Sequence, residues 1–128
     1  MPGPAHSGLF IYAKDLGRVA AFYERVLGMS RLTDTEEIVV LESQTVQLVV
    51  HAIPPQFASA IEISSPPRPR ENTALKFFFT VPNIAALHDA ATALGGQVYP
   101  DRWQGPGFSA CNACDPEGNI FQLREFGI

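Results

Sequence analysis

Lys76 and Gln122 are two polar side chains that the sequence places in strands where a bound molecule would meet them. Lys76 lies in the alternating segment 75–81, and a lysine on such a strand face can hold an anionic ligand. With a lowered pKa, its amine can also act as a base or form a Schiff base. The Gln122 amide can both donate and accept a hydrogen bond. Ordinary alternatives stay open: an ammonium group that reaches water, and a glutamine that pairs with a neighbouring strand.

Four aromatic residues can form an apolar wall for a planar ligand: Tyr12, Phe78, Trp103 and Phe108. Trp103 lies in DRWQGPGF, a Gly- and Pro-rich segment that suits a loop beside a binding groove. Core or interface packing is the alternative for some of these rings. We predict a ligand, aromatic or anionic, that is held by these rings with Lys76 and Gln122 as polar anchors.

The motif Cys111-x-x-Cys114 invites a zinc or redox interpretation, but neither fits. A zinc site needs a second pair of ligands, and a redox pair favours a helix N-terminus. In the predicted strand, residues three apart point to opposite faces at about 10 Å, too far for a disulfide. We expect both cysteines to be structural.

The elements that position these residues occur twice. Residues 9–28 (LFIYAKDLGRVAAFYERVLG) predict a strand, an acidic N-cap at Asp15, an amphipathic helix and a glycine stop at Gly28. Residues 75–96 (LKFFFTVPNIAALHDAATALGG) repeat this order with Asn83 as the cap, 68 positions after Asp15. The sequence therefore predicts two copies of one small module.

Three further strands complete each predicted copy, at 30–33, 37–42 and 45–51, and at 97–99, 108–113 and 119–126. The turn Asp115-Pro116-Glu117-Gly118 precedes the last strand. Module one spans 8–52, a proline-rich linker spans 53–73 and module two spans 74–128, all within one domain, 1–128. We predict an α+β fold of two βαβββ modules, with an eight-stranded curved mixed sheet, a concave groove and helices on the outer face.

Composition narrows the possible partners. The chain has 128 residues and a net charge of −4, with no cluster of Lys and Arg, so nucleic acid is not expected. No apolar run approaches the roughly 20 residues of a membrane span, and no signal peptide is visible. We expect a cytoplasmic protein without membrane association.

Two segments resemble a known superfamily. DLGRVAAFYERVLGM, residues 15–29, and DPEGNIFQLREF, residues 115–126, are similar to the first-module and last-strand signatures of the vicinal oxygen chelate superfamily. That group includes glyoxalase I, extradiol dioxygenases and bleomycin resistance proteins. The resemblance implies the paired-module fold, a small-molecule ligand and a homodimer.

Enzymes of that superfamily hold a divalent metal through a His on the first strand of each module and a Glu on the last strand of the second. Counted from the caps and the turn, these positions are Gly8, Lys76 and Gln122, with Gln47 or Leu48 as a fourth. The resemblance therefore implies a member without the usual metal ligands, and no cofactor is predicted.

Three functions remain open at this point. The first is a metal-independent small-molecule binding protein, similar to the bleomycin resistance branch. The second is a glyoxalase- or dioxygenase-like enzyme with a displaced metal, held by His51 and oxygen donors such as Gln47 or Glu125. The third is metal-free catalysis by Lys76.

Overall fold

The computed structural model describes residues 4–127. It divides into two compact units, Met1–Glu62 and Ile63–Ile128, which are described in turn. Residues 53–62 of the predicted linker therefore belong to unit one, and residues 63–73 belong to unit two.

Unit one is a four-stranded sheet with one long helix. Its elements are β1 (Gly8–Ala13), α1 (Leu16–Val26), β2 (Ser30–Asp34), β3 (Ile38–Glu42), β4 (Gln47–Ala52) and the short α2 (Pro55–Ala58). The strand order is β1-β4-β3-β2, with β1 parallel to β4 and the other pairs antiparallel. The predicted cap is present, because the Asp15 carboxylate accepts from the Arg18 N–H at 3.2 Å. Gly28 follows the helix with φ +64°, a conformation that favours glycine.

Alternation along β1 separates the two faces of this sheet. Ile11 and Ala13 are buried towards α1, whose apolar stripe includes Val19, Phe22 and Val26. Gly8, Phe10 and Tyr12 point to the opposite, open face. The core of unit one therefore lies between the helix and one face of the sheet.

Unit two repeats this plan with a shorter helix. Its elements are β5 (Phe78–Thr80), a 3-10 turn (Ala85–Leu87), α3 (His88–Ala93), β6 (Gln97–Gly105), β7 (Phe108–Cys114) and β8 (Ile120–Phe126). The strand order is β5-β8-β7-β6, with β5 parallel to β8. The Asn83 side chain accepts from the Ala86 N–H at 3.2 Å, as its capping position predicts. Within residues 4–127 the chain thus has eight strands in two mixed sheets, and the predicted α+β fold of two βαβββ modules is confirmed.

Two strands of unit two differ from the prediction. β5 has three residues instead of seven, so Lys76 precedes the strand, although the Phe77 carbonyl still accepts from the Gln122 N–H at 3.0 Å. β6 runs through Gly105, with an irregularity between Val98 and Arg102. Trp103 is therefore a strand residue beside a bulge and not a loop residue.

The turn before β8 is organised by a buried carboxylate. Asp115 accepts from the Glu117 N–H at 2.8 Å and from the backbone and side-chain amides of Asn119 at 3.1 and 2.7 Å.

This turn also holds the proline-rich segment in place. The Arg70 N–H donates to the Gly118 carbonyl at 2.8 Å, and Arg70 Nε donates to the Glu117 carbonyl at 3.0 Å. Residues 68–71, named the docked segment, are thereby fixed against unit two.

None of the helices within residues 4–127 is long and apolar enough to cross a membrane.

Candidate functional site

The open face of unit two is the sheet face that carries Phe78, Phe108, Gln122 and Arg124. Register defines it: Phe78 lies opposite Gln122, and Gln122 lies opposite Asn112. Directly paired residues share a face of a sheet. The other face carries Phe121 and Leu123, which are fully buried in the core of the unit.

Arg124 is at the centre of this face. Its guanidinium carbon lies 3.6 Å from the centroid of the Phe78 ring and 4.3 Å from that of Phe108. Its Nε donates to the Gln122 side-chain oxygen at 2.5 Å. Two rings and an amide therefore hold one positive charge in a fixed position. We name Phe78, Phe108, Gln122 and Arg124 the arginine cluster.

Phe108 is positioned by a glycine on the neighbouring strand. Gly105 lies opposite Phe108, and a Cβ added at Gly105 would lie 2.2 Å from an atom of the Phe108 ring. The ring therefore packs directly on the Gly105 backbone. A side chain at this position would displace Phe108 from Arg124.

Trp103 and Lys76 form a second contact in unit two. The Lys76 ammonium lies 5.8 Å from the centroid of the Trp103 ring, within the range of a cation–π interaction. Trp103 keeps 39% of its surface exposed, and Phe78 keeps 52%. Large apolar side chains with this exposure are available for contact with another molecule.

A cavity of about 280 Å³ lies beside Trp103. Three parts of unit two line it: β7 and β8 with Asn112 and Ile120, β6 with Tyr99, Pro100, Asp101 and Trp103, and the docked segment with Pro69 and Glu71. The Tyr99 hydroxyl and the Asn112 side-chain oxygen are buried without a hydrogen-bond partner among residues 4–127. Burial raises the pKa of Tyr99, and the nearby Cys114 thiol and Glu71 carboxylate raise it further, so the phenol stays neutral.

Tyr12 lies on the open face of unit one and keeps 59% of its surface exposed. Its ring stacks with that of Phe10 at a centroid distance of 6.2 Å and lies 5.7 Å from the His51 ring. The structure thus places Phe78, Phe108 and Gln122 in one cluster, Trp103 with Lys76 beside the cavity, and Tyr12 in the other unit.

The positions that the superfamily resemblance assigns to metal ligands carry no carboxylate or imidazole. A Cβ added at Gly8 would lie 2.6 Å from the Gln47 carbonyl oxygen, so β4 leaves no room there for a side chain. The Gln122 side-chain oxygen accepts a hydrogen bond from Arg124 Nε. Phe10 and Phe78 are equivalent in the repeat, and Phe10 pairs with Val49 as Phe78 pairs with Gln122. The fourth position is therefore Val49, and not Gln47 or Leu48 as the count predicted.

The donors of a displaced metal site do not form a cluster. Among residues 4–127, no group of three or more His, Cys, Asp or Glu side chains could hold a metal ion. Glu125 points to the helix side of its sheet, where it accepts from the Ile84 N–H and from Arg102, each at 3.0 Å. His51 Nδ1 lies 2.8 Å from the Ala52 carbonyl oxygen. The geometry therefore gives no support to a site built from His51 and Glu125.

Cys111 and Cys114 are free and buried. They lie on β7 opposite Leu123 and Ile120, and burial raises the pKa of both thiols. Neutral buried thiols are poor nucleophiles, which agrees with the structural role expected from the sequence.

The fold agrees with comparisons to known proteins. A family model described as "Glyoxalase-like domain" matches residues 8–124, and the chain belongs to that family. A glyoxalase/bleomycin resistance protein/dioxygenase family enzyme from Burkholderia phytofirmans PsJN is similar at 19% identity and a TM-score of 0.72, covering 97% of this chain and 100% of that one.

Two further structures share the fold. Lactoylglutathione lyase from Agrobacterium tumefaciens has 25% identity and a TM-score of 0.59 over 97% of this chain and 95% of that one. The fosfomycin resistance protein FosX from Listeria monocytogenes has 15% identity and a TM-score of 0.63 over 100% of this chain and 96% of that one. No curated protein sequence matches the chain.

Arg124 is the residue that sequence reasoning missed. It lies two positions after Gln122 in the last strand, so strand alternation alone places both side chains on one face. The contacts with Phe78 and Phe108 depend on neighbouring strands and leave no local signal in the sequence.

Proposed function

We propose that the protein binds a small organic ligand on the open faces of its sheets without a divalent metal at the superfamily position. The ligand contacts are Tyr12, Lys76, Phe78, Trp103, Phe108 and Gln122, as predicted from the sequence, with Arg124 added. The arginine cluster carries this proposal, because a fixed guanidinium donates to Gln122, the position at which the metal-binding enzymes of the resemblance have a carboxylate.

Electrostatics support the absence of a metal. A cation bound at Gln122 would lie close to Arg124, whose Nε already donates to the only oxygen of that side chain. Two like charges about 4 Å apart repel by about 4 kcal/mol at an effective dielectric constant of 20. The neutral amide supplies no charge that would offset this repulsion.

The same cluster suits an anionic, planar ligand. Arginine binds carboxylates and phosphates through a planar array of N–H donors, and it is always charged. Phe78 and Phe108 limit the motion of the guanidinium, so less conformational entropy is lost when an anion binds. Exposed aromatic surface next to this charge can stack on a ring that carries the anion.

Metal analysis and an anion-binding assay test this proposal together. Purified without a His-tag, the protein is expected to hold far less than one equivalent of Ni, Zn, Fe or Mn. Benzoate and phenyl phosphate are expected to raise the melting temperature, whereas benzyl alcohol is not.

Two variants locate the effect. Arg124→Gln is expected to abolish the benzoate shift, and Arg18→Gln, on the exposed side of α1, is expected to keep it. Stoichiometric metal that is lost in Gln122→Ala would overturn the proposal. An unchanged benzoate response in Arg124→Gln would remove the arginine cluster from the site.

A further inference from the structure

We infer that the cavity beside Trp103 binds a small organic ammonium group. The inference goes beyond the proposed function. It shares Trp103 with the contacts proposed there, but its acceptor Asn112 and its carboxylates Glu71 and Asp101 are not among them. It depends on four features of the cavity: its size, an unpartnered acceptor, two carboxylates and an aromatic wall.

The cavity has room for a ligand and polar groups that need one. Its volume of about 280 Å³ is far larger than one water molecule needs, so a small organic ligand fits. The Asn112 side-chain oxygen is a buried acceptor for which residues 4–127 supply no donor. A buried acceptor without a partner is destabilising, so a ligand that supplies an N–H donor to it gains affinity.

Charge selects the kind of donor. Glu71 of the docked segment and Asp101 of β6 both line the cavity. Both are exposed carboxylates that attract a positive group entering the cavity. Lys76 brings a positive charge to the edge of the cavity through its contact with the Trp103 ring.

Trp103 completes the site. Indole is the side chain with the strongest attraction for a cation, and the Lys76 ammonium already lies 5.8 Å from its centroid. Lys76 thus shows that the ring accepts an ammonium, and its charge also opposes a second cation. Removal of this charge is therefore expected to strengthen the binding of an added amine.

Trp103 is the only tryptophan of the chain, so its fluorescence reports on the cavity wall without interference. The probes are butylammonium, tetramethylammonium, butyrate and 1-butanol, titrated at constant ionic strength. Butylammonium is expected to give a saturable change. Tetramethylammonium has no N–H donor for Asn112, and butyrate and 1-butanol carry no positive charge. Each of the three is expected to bind at least about tenfold more weakly than butylammonium.

Variants of Asn112 test whether the cavity prefers a positively charged ligand. Asn112→Asp keeps the shape, adds a negative charge and is expected to tighten butylammonium binding, whereas Asn112→Leu is expected to weaken it about tenfold. Lys76→Met is expected to tighten it, and Glu36→Gln, exposed in unit one, is expected to leave it unchanged. Circular dichroism checks that each variant is folded.

Three results would overturn the inference. Butyrate binding as tightly as butylammonium would show that charge does not select the occupant. Weaker butylammonium binding in Asn112→Asp would exclude Asn112 as the acceptor. No saturable change with any probe would show that the cavity holds water only. Each result leaves the benzoate test of the arginine cluster unaffected, so the two proposals fail separately.

Discussion

Substitution of Gly118 tests how the docked segment is held against unit two. Gly118 has φ +85°, and a Cβ added there would lie 2.2 Å from the Arg68 carbonyl oxygen. Gly118→Ala therefore strains its own backbone and displaces the docked segment. Gly107→Ala is the matched control, because Gly107 has φ +76° but no atom within 4 Å of an added Cβ.

The two variants are expected to differ in free energy of unfolding. Left-handed backbone costs an L-residue about 1–2 kcal/mol, which is the whole expected loss in Gly107→Ala. Gly118→Ala also loses the hydrogen bonds from Arg70 N and Nε, each of which contributes about 0.5–1.5 kcal/mol. Its expected loss is therefore about 2–5 kcal/mol.

Urea denaturation followed by far-UV circular dichroism measures both losses, and Trp103 fluorescence reports on the cavity that the docked segment lines. Gly118→Ala is expected to lower the denaturation midpoint more than Gly107→Ala and to shift the Trp103 emission. Equal losses in the two variants, with unchanged emission, would refute the view that the turn fixes the docked segment.

Three other predictions follow from the same contacts. Asp115→Ala removes three hydrogen bonds to a buried carboxylate and is expected to lower the free energy of unfolding by about 3 kcal/mol or more in urea; a loss below about 1 kcal/mol would contradict this. Glu125→Gln weakens the bonds to Ile84 and Arg102 and is expected to cost about 1 kcal/mol, less in high salt; a salt-independent cost would exclude the ion pair as its source. Burial raises the pKa of Tyr99 and Cys114, so the folded state keeps protons that the unfolded state releases, and stability is expected to be full below about pH 9 and to fall as pH rises above it. Tyr99→Phe is expected to flatten this fall between about pH 9 and 11 in thermal melts, and an unchanged slope would exclude Tyr99.

The repeated local signals made the fold predictable. Asp15, Gly28 and Asn83 mark helix ends through contacts within four residues, and such contacts leave a direct pattern in the sequence. The DPEGN turn also has local contacts, because the Asp115 carboxylate accepts from the Glu117 and Asn119 N–H groups. Both modules could therefore be placed before any long-range contact was known.

The candidate site was less predictable because it depends on register between strands. Strand β5 begins only at Phe78, which leaves Lys76 outside it. Only the register of β4 identifies Val49 as the fourth superfamily position. Arg124 gains its role from rings on two other strands. The cavity depends on the docked segment, which is hydrogen-bonded to Gly118. The composition of a proline-rich linker does not predict this contact.

The parallel pairing of first and last strands has a consequence for synthesis on the ribosome. Gly8 meets Gln47 and Phe78 meets Gln122, separations of 39 and 44 residues, so the length-dependent entropy of closing each loop is nearly the same, about 3 kcal/mol. Unit one can form its parallel strand pair while unit two is still being translated. Unit two can form its parallel pair only after residue 122 has been synthesised, because β8, the strand that pairs with β5, is the last strand of that unit.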